Sequence, residues 1–213
     1  MKAIARIGIA LSLVLLATPL AAQSISIGLR GSGSFPTGDF AETQSSATNT
    51  ALIEGAKSGF GYGAEVGLSF GFLGAYASFD HIKFDCETTT CTNDGKYTLQ
   101  GVTAGLKLGL PVASRFRPFI KGGVTYNDLE GSYGSSTKSN GLTTDKAPGY
   151  ELGLGADYSL LGIVSITPQV RYVGQNFKGK VPGVTNTSTT PNSGVNYFTF
   201  DLGLSLHTPF GGM

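Results

Sequence analysis

The chain has 213 residues and a net charge of +1, and only 14% of its residues are charged, against about 25% in an ordinary soluble domain. So sparse and balanced a charge excludes an electrostatic nucleic-acid binder, and no nucleic-acid partner is expected. Glycine is abundant, at 32 residues, but follows no collagen-like period and falls inside alternating segments, where it permits close packing and curvature.

The first element is a secretory signal. Lys2 and Arg6 precede an apolar run over residues 7–16, and small residues lead to a cleavage site after Ala22. The run is short of the ~20 residues of a spanning helix. The expected division is a signal peptide, 1–22, and one domain, 23–213.

Eight strands follow, each alternating a large apolar face with a small or polar one. The first, residues 24–35, sets Ile25, Ile27 and Leu29 against Ser26, Gly28, Arg30 and Ser32. The second sets Phe60, Tyr62, Ala64, Val66, Leu68 and Phe70 against four glycines and Glu65. The third, residues 74–84, places Ala75, Ala77 and Phe79 outward, with Tyr76, Ser78 and Asp80 inward. In the fourth, Val102, Ala104, Leu106 and Leu108 oppose Gly101, Thr103, Gly105 and Lys107.

The fifth sets Ile120, Gly122, Val124 and Tyr126 against Phe119, Lys121, Gly123 and Thr125. The sixth is the clearest: Tyr150, Leu152, Leu154, Ala156 and Tyr158 against Gly149, Glu151, Gly153, Gly155 and Asp157. The seventh sets Val164, Ile166, Pro168, Val170 and Tyr172 against Ser165, Thr167, Gln169 and Arg171. Pro168 cannot donate to a ladder and marks an edge or bulge, the place where a channel, the alternative function, would have its side opening. The eighth sets Phe198, Phe200, Leu202, Leu204 and Leu206 against Thr199, Asp201, Gly203, Ser205 and His207.

A continuous oily face opposed to a small polar one is how a β-barrel in a bilayer reads. Connection lengths agree. Those after strands two, four and six are short; those after one, three, five and seven are long and polar. The predicted fold is all-β, an eight-stranded antiparallel up-and-down transmembrane β-barrel. Aromatics collect near both rims: Phe60, Tyr62, Tyr126, Tyr150, Tyr172 and Phe198 toward the long loops, and Phe70, Phe72, Phe116, Tyr158 and Phe210 toward the short turns.

Eight charged strand residues fall in the small polar phase, Arg30, Glu65, Lys107, Lys121, Glu151, Asp157, Arg171 and Asp201, and Asp80 joins them on the phase read for the third strand. The reverse phase would turn bases toward lipid at about 2–4 kcal/mol each near the midplane. A barrel this narrow holds only side chains. The charges are therefore expected to pair into a plug, with a narrow gated pore as the rival.

Cys86 and Cys91 lie in the second long loop, and two cysteines behind a secretory signal predict one disulfide. His81 and His207 are the only histidines, and neither stands in an evident triad with a serine. No metal site, cofactor or catalytic residue is expected.

The segments Ile27-Gly28-Leu29-Arg30-Gly31, Arg117-Pro118-Phe119-Ile120-Lys121-Gly122-Gly123-Val124 and Phe200-Asp201-Leu202-Gly203-Leu204-Ser205-Leu206, in this order, resemble those of the outer-membrane β-barrel domain family of OmpA/OmpX type. The last departs from the family's terminal pattern, with Thr208 at an apolar position and an end at Phe210-Gly211-Gly212-Met213. The resemblance implies a Gram-negative-type outer membrane, with long loops extracellular and termini periplasmic. It also implies contact with outer-membrane lipid and lipopolysaccharide, and assembly by the barrel-assembly machinery. Within that frame the expectation is a monomeric, non-enzymatic barrel with a structural or surface-interaction role and an unknown surface ligand. A small-solute or hydrophobic-compound channel and a lipid-modifying enzyme are the alternatives.

Overall fold

A computed structural model describes residues 23–41, 55–86, 95–110, 112, 115–132, 142–180 and 192–209. Residues 1–22, the predicted signal peptide, and Cys91 and Phe210 lie outside the described residues. Eight long strands are present: β1 (Gln23–Thr37), β2 (Ala56–Phe70), β3 (Leu73–Cys86), β4 (Lys96–Gly109), β5 (Phe116–Ser132), β7 (Ala147–Leu161), β8 (Val164–Lys180) and β9 (Asn192–Pro209), together with the three-residue β6 (Leu142–Thr144). Each long strand pairs antiparallel with its neighbours, and β1 pairs with β9 from Ser24↔Pro209 to Thr37↔Asn196. The sheet therefore closes into an up-and-down barrel and leaves no long edge unpaired, the condition for crossing lipid with strands.

The predicted faces are the observed ones. Leu29, Val102, Ile120, Leu154 and Leu204 point away from the lumen and are exposed, whereas Arg30, Asp80, Lys121, Glu151, Arg171 and Asp201 are buried inside. The tight turns fall where expected, with Gly71 at φ +64° and Gly162 at φ +37°, left-handed conformations suited to glycine.

Two features differ from the sequence reading. First, the strands are longer, 14 to 18 residues, where a tilted transmembrane strand needs about 9–11. The segment read as the third long loop contains the end of β5 and all of β6, which bridges β5 and β8 beyond the end of β7. Thr144 locks β6 in place, its Oγ1 accepting from the Leu129 amide at 2.9 Å.

Second, the inward face is polar over only part of the barrel. Toward the long loops it becomes apolar. Ile82, Phe84, Tyr97, Leu99, Leu129, Val173, Phe177, Val195 and Tyr197 form one buried cluster inside the barrel, joined by Phe40 and the partly buried Cys86. The outward phase changes in the opposite sense at the same level, from Phe79 to His81, Lys83 and Asp85 on β3, and from Val102 to Gln100, Thr98 and Lys96 on β4. The alternation is unbroken but its polarity inverts. The physical reason is the solvent: where lipid ends, the outer wall faces water and the apolar residues move inside.

The long-loop aromatics mark this boundary. Tyr150, Tyr172 and Phe198 form a chain of ring contacts at 6.1 and 4.9 Å. They sit within their strands and not at the strand ends.

Candidate functional site

The candidate site is the lumen, because that is where the strands bring the chemically capable side chains together. All nine charges predicted to face inward do so, and six of them form a closed ring of alternating sign. Arg30 pairs with Asp80 at 2.7 Å and with Glu65 at 3.0 Å. Glu65 also holds Lys121 at 2.9 Å, and Lys121 reaches Glu151 at 3.4 Å. Arg171 completes the circuit, 2.8 Å from Glu151 and 3.1 Å from Asp80. Asp201 hangs from the ring on Arg171, its Oδ2 accepting from Nε at 2.5 Å.

Local sequence makes room for this ring. A Cβ on the inward Gly63 would lie 2.7 Å from Asp80 Oδ1 and 3.0 Å from Arg30 Nε. Tyr76 crosses the lumen over Gly105 and Gly123 and donates its hydroxyl to Glu151 at 2.9 Å. Its ring also lies 4.6 Å from Lys121 Nζ. Arg171 is 1% exposed and donates to Asp80, Glu151 and Asp201. Removing it would leave Asp201 without its cation and take one of the cations from Asp80 and Glu151, which keep Arg30 and Lys121.

Next toward the long loops comes a neutral layer. Asn127 donates to Gln175 Oε1 at 2.9 Å, and Gln175 donates back to the Asn127 and Ala147 carbonyls. In and around it, the hydroxyls of Ser32, Ser34, Ser78 and Thr125 are buried with no hydrogen-bond partner among the described residues. The apolar cluster follows. A single 3-10 turn after β1, Gly38–Phe40, turns inward to deliver Phe40. Its ring packs edge-on against Phe84 at 5.1 Å and tilted against Tyr97 at 5.9 Å. Phe84 in turn meets Tyr197 at 5.4 Å. The alternation within each strand signalled this cluster, but reading the inward phase as uniformly polar missed it.

At the short-turn end the lumen widens into a polar mouth of about 40 Å³, lined by residues including Glu65, Lys107, Asp157, Thr167, Ser205 and His207. Lys107 pairs with Asp157 at 2.9 Å, apart from the ring, and its Nζ sits 3.7 Å above the Phe119 ring. Ser205 Oγ lies 3.0 Å from His207 Nε2, a contact not foreseen from the sequence. Asp157 accepts from Lys107 and from the Thr167 hydroxyl, and Thr167 Oγ1 in turn lies 3.4 Å from Ser205 Oγ, so the histidine reaches this carboxylate only through two hydroxyls. His81 lies on the outer wall at the other end, stacked 5.1 Å from Tyr62. The two histidines are thus on opposite sides of the wall and cannot share a site. No cluster of three or more metal-ligating side chains occurs among the described residues. Cys86 ends β3; its predicted partner Cys91 lies outside the described residues.

The β7–β8 ladder is interrupted beside the mouth. Pairing runs to Gly155↔Gln169 and resumes at Tyr158↔Ile166. Pro168 has no amide hydrogen to give, and the Thr167 hydroxyl bridges to Asp157 at 2.9 Å across the gap.

Solved structures share this architecture. OprG of Pseudomonas aeruginosa superposes with a TM-score of 0.59 at 15% identity, covering 88% of this chain and 96% of that one. AlkL in lipid bilayers gives 0.54 at 13% identity, covering 90% and 92%. Neisserial surface protein A gives 0.53 at 14% identity, covering 87% and 96%. At these identities the likeness is one of fold. No curated protein sequence matches the chain. The family described as outer membrane protein beta-barrel domain matches residues 8–207, and with a closed barrel, an oily belt and a charge-filled lumen the chain belongs to that family.

Proposed function

We propose that this outer-membrane barrel is closed and non-enzymatic, and that it serves envelope integrity or surface interaction through its long loops. In this reading those loops face the exterior, both termini are periplasmic, and the barrel is a monomer delivered by the barrel-assembly machinery. One observation carries it: the lumen is obstructed twice in series, by the ion-pair ring and by the apolar cluster under Phe40. An ion would have to break paired charges and then enter a hydrocarbon-lined passage, each strongly unfavourable.

The test is single-channel conductance of the folded barrel in planar bilayers, with Arg171→Ala alongside. Neither protein should give discrete openings, because the apolar cluster does not depend on the ring. Reproducible openings that change with the variant would overturn the closed reading. The non-enzymatic part has its own test: His207→Ala and His81→Ala should leave lipid composition unchanged in a lipid-modification assay.

A second reading, a channel with a side exit for hydrophobic compounds, is favoured by the ladder gap at Pro168 next to the mouth. Replacing Pro168 with Val would close the gap and should abolish uptake of such a compound under that reading. It should change nothing under the first.

A further inference from the structure

The short-turn mouth carries a surplus of positive charge. Between the ion-pair ring and the short turns, the described residues hold Lys107, Arg115, Arg117 and the partly buried His207 against one carboxylate, Asp157. The two carboxylates that face the mouth are already engaged. Asp157 accepts from Lys107 and from Thr167, and Glu65 is shared by Arg30 and Lys121. Asp157 is the ladder partner of Arg117, yet Arg117 makes no hydrogen bond or ion pair among the described residues.

Arg117 belongs to the inward phase of β5, two residues before the buried Phe119. Its stem lies across the buried Gly109, where an added Cβ would meet Arg117 Cδ at 3.2 Å. Arg117 thus lines a recess of about 30 Å³ together with Ser26, Ser69, Lys107, Asp157 and His207. Such a recess has room for about two or three water-sized groups. A planar carboxylate fits that space, and a guanidinium fork matches it with two parallel bonds. The serine hydroxyls supply further donors. A tetrahedral oxyanion needs more room. A deeper seat for an anion is excluded by the ring, where Glu65, Asp80, Glu151 and Asp201 outnumber Arg30, Lys121 and Arg171.

We propose that the short-turn mouth is a receptor for a single carboxylate, held by Arg117 with His207 and the Ser26 and Ser69 hydroxyls around it. The site takes from the preceding reading only its periplasmic facing, which makes the ligand the end of a periplasmic peptide or a small organic acid. Titration in detergent reads the site whichever way the barrel faces, so failure of the site and failure of the orientation are separate results.

The experiment is an NMR titration of the folded, isotope-labelled barrel in an uncharged, phosphate-free detergent, with ionic strength held constant by chloride. Sodium acetate should shift the Ser69, Gly109 and His207 amides saturably. Saturation by N-acetyl-dialanine as well assigns a peptide's end, and saturation by acetate alone assigns a free acid; the C-terminal amide of the same peptide should shift nothing. Arg117→Gln should weaken acetate binding at least about tenfold, the worth of a charge-assisted hydrogen bond. Arg115→Gln should not, because Arg115 is exposed on the same rim but outside the recess. No saturable shift in the wild type, equal weakening by Arg115→Gln, or tighter binding of inorganic phosphate than of acetate would overturn the proposal.

Discussion

The bilayer half and the loop-side half of this barrel share strands, register and alternation, yet they keep opposite kinds of residue inside. Along β8 the inward phase reads Ser165, Thr167, Gln169, Arg171, and then Val173, Gln175, Phe177. Along β4 it reads Lys107, Gly105, Thr103, Gly101, and then Leu99, Tyr97. In lipid the outer wall is held by matching the hydrocarbon, and cohesion inside comes from ion pairs and hydrogen bonds. Above the lipid the wall is wet, and cohesion inside comes from apolar burial, as in a soluble β-protein. A barrel can thus be plugged by two unlike mechanisms stacked end to end, each suited to the medium around it.

The sharpest way to break the bilayer half is Arg171→Ala. It leaves Asp80, Glu151 and Asp201 buried around a missing cation, and should cost about 3–5 kcal/mol. Urea unfolding of the barrel in lipid vesicles, followed by heat-modified electrophoretic mobility, measures it. A loss under about 1 kcal/mol would mean the ring is not a cohesive element, since even exposed pairs reach that value.

The matching break in the loop-side half is Phe84→Ala, which removes the ring between Phe40 and Tyr197 and should cost about 3–5 kcal/mol. Combined with Arg171→Ala the two losses should add, because the clusters share no hydrogen bond. The double variant is also the one expected to conduct, since it weakens both obstructions.

The boundary itself can be sharpened by placing one charge at two levels of β4. Val102→Lys faces lipid and should cost about 2–4 kcal/mol, whereas Thr98→Lys faces water and should cost about 0–1 kcal/mol. Equal costs in the same unfolding assay would erase the inversion. A further effect belongs to Lys107→Met. Its pair with Asp157 is apart from the ring and mostly buried, at 19% and 10% exposed, and Thr167 still donates to the carboxylate, so about 1–3 kcal/mol is expected, with the ring intact by the criterion of unchanged Arg171→Ala cost in that background.

Much of this protein was legible in the sequence, because a period of two sets the face of each residue before any partner is known. Eight strands, the short and long connections and all nine inward charges follow from that rule and from the cost of a charge in lipid. The loop-side core was legible in principle, since Ile82, Phe84, Leu99 and Tyr97 stand in the inward phase. It was missed because the strands were taken to end where their oily outward face ends.

What alternation cannot supply is distance across the lumen. Asp80 and Arg171 are 91 positions apart, and nothing local to either strand says that they meet. Closure of β1 on β9 and the stagger of each ladder decided that six charges form one ring, that Lys107 and Asp157 pair apart from it, and that Phe40 turns in to cap the apolar cluster. The sequence by itself determined which residues face in and which face out. The tertiary structure decided which of the inward ones touch, because contact across a barrel depends on register summed around the whole wall.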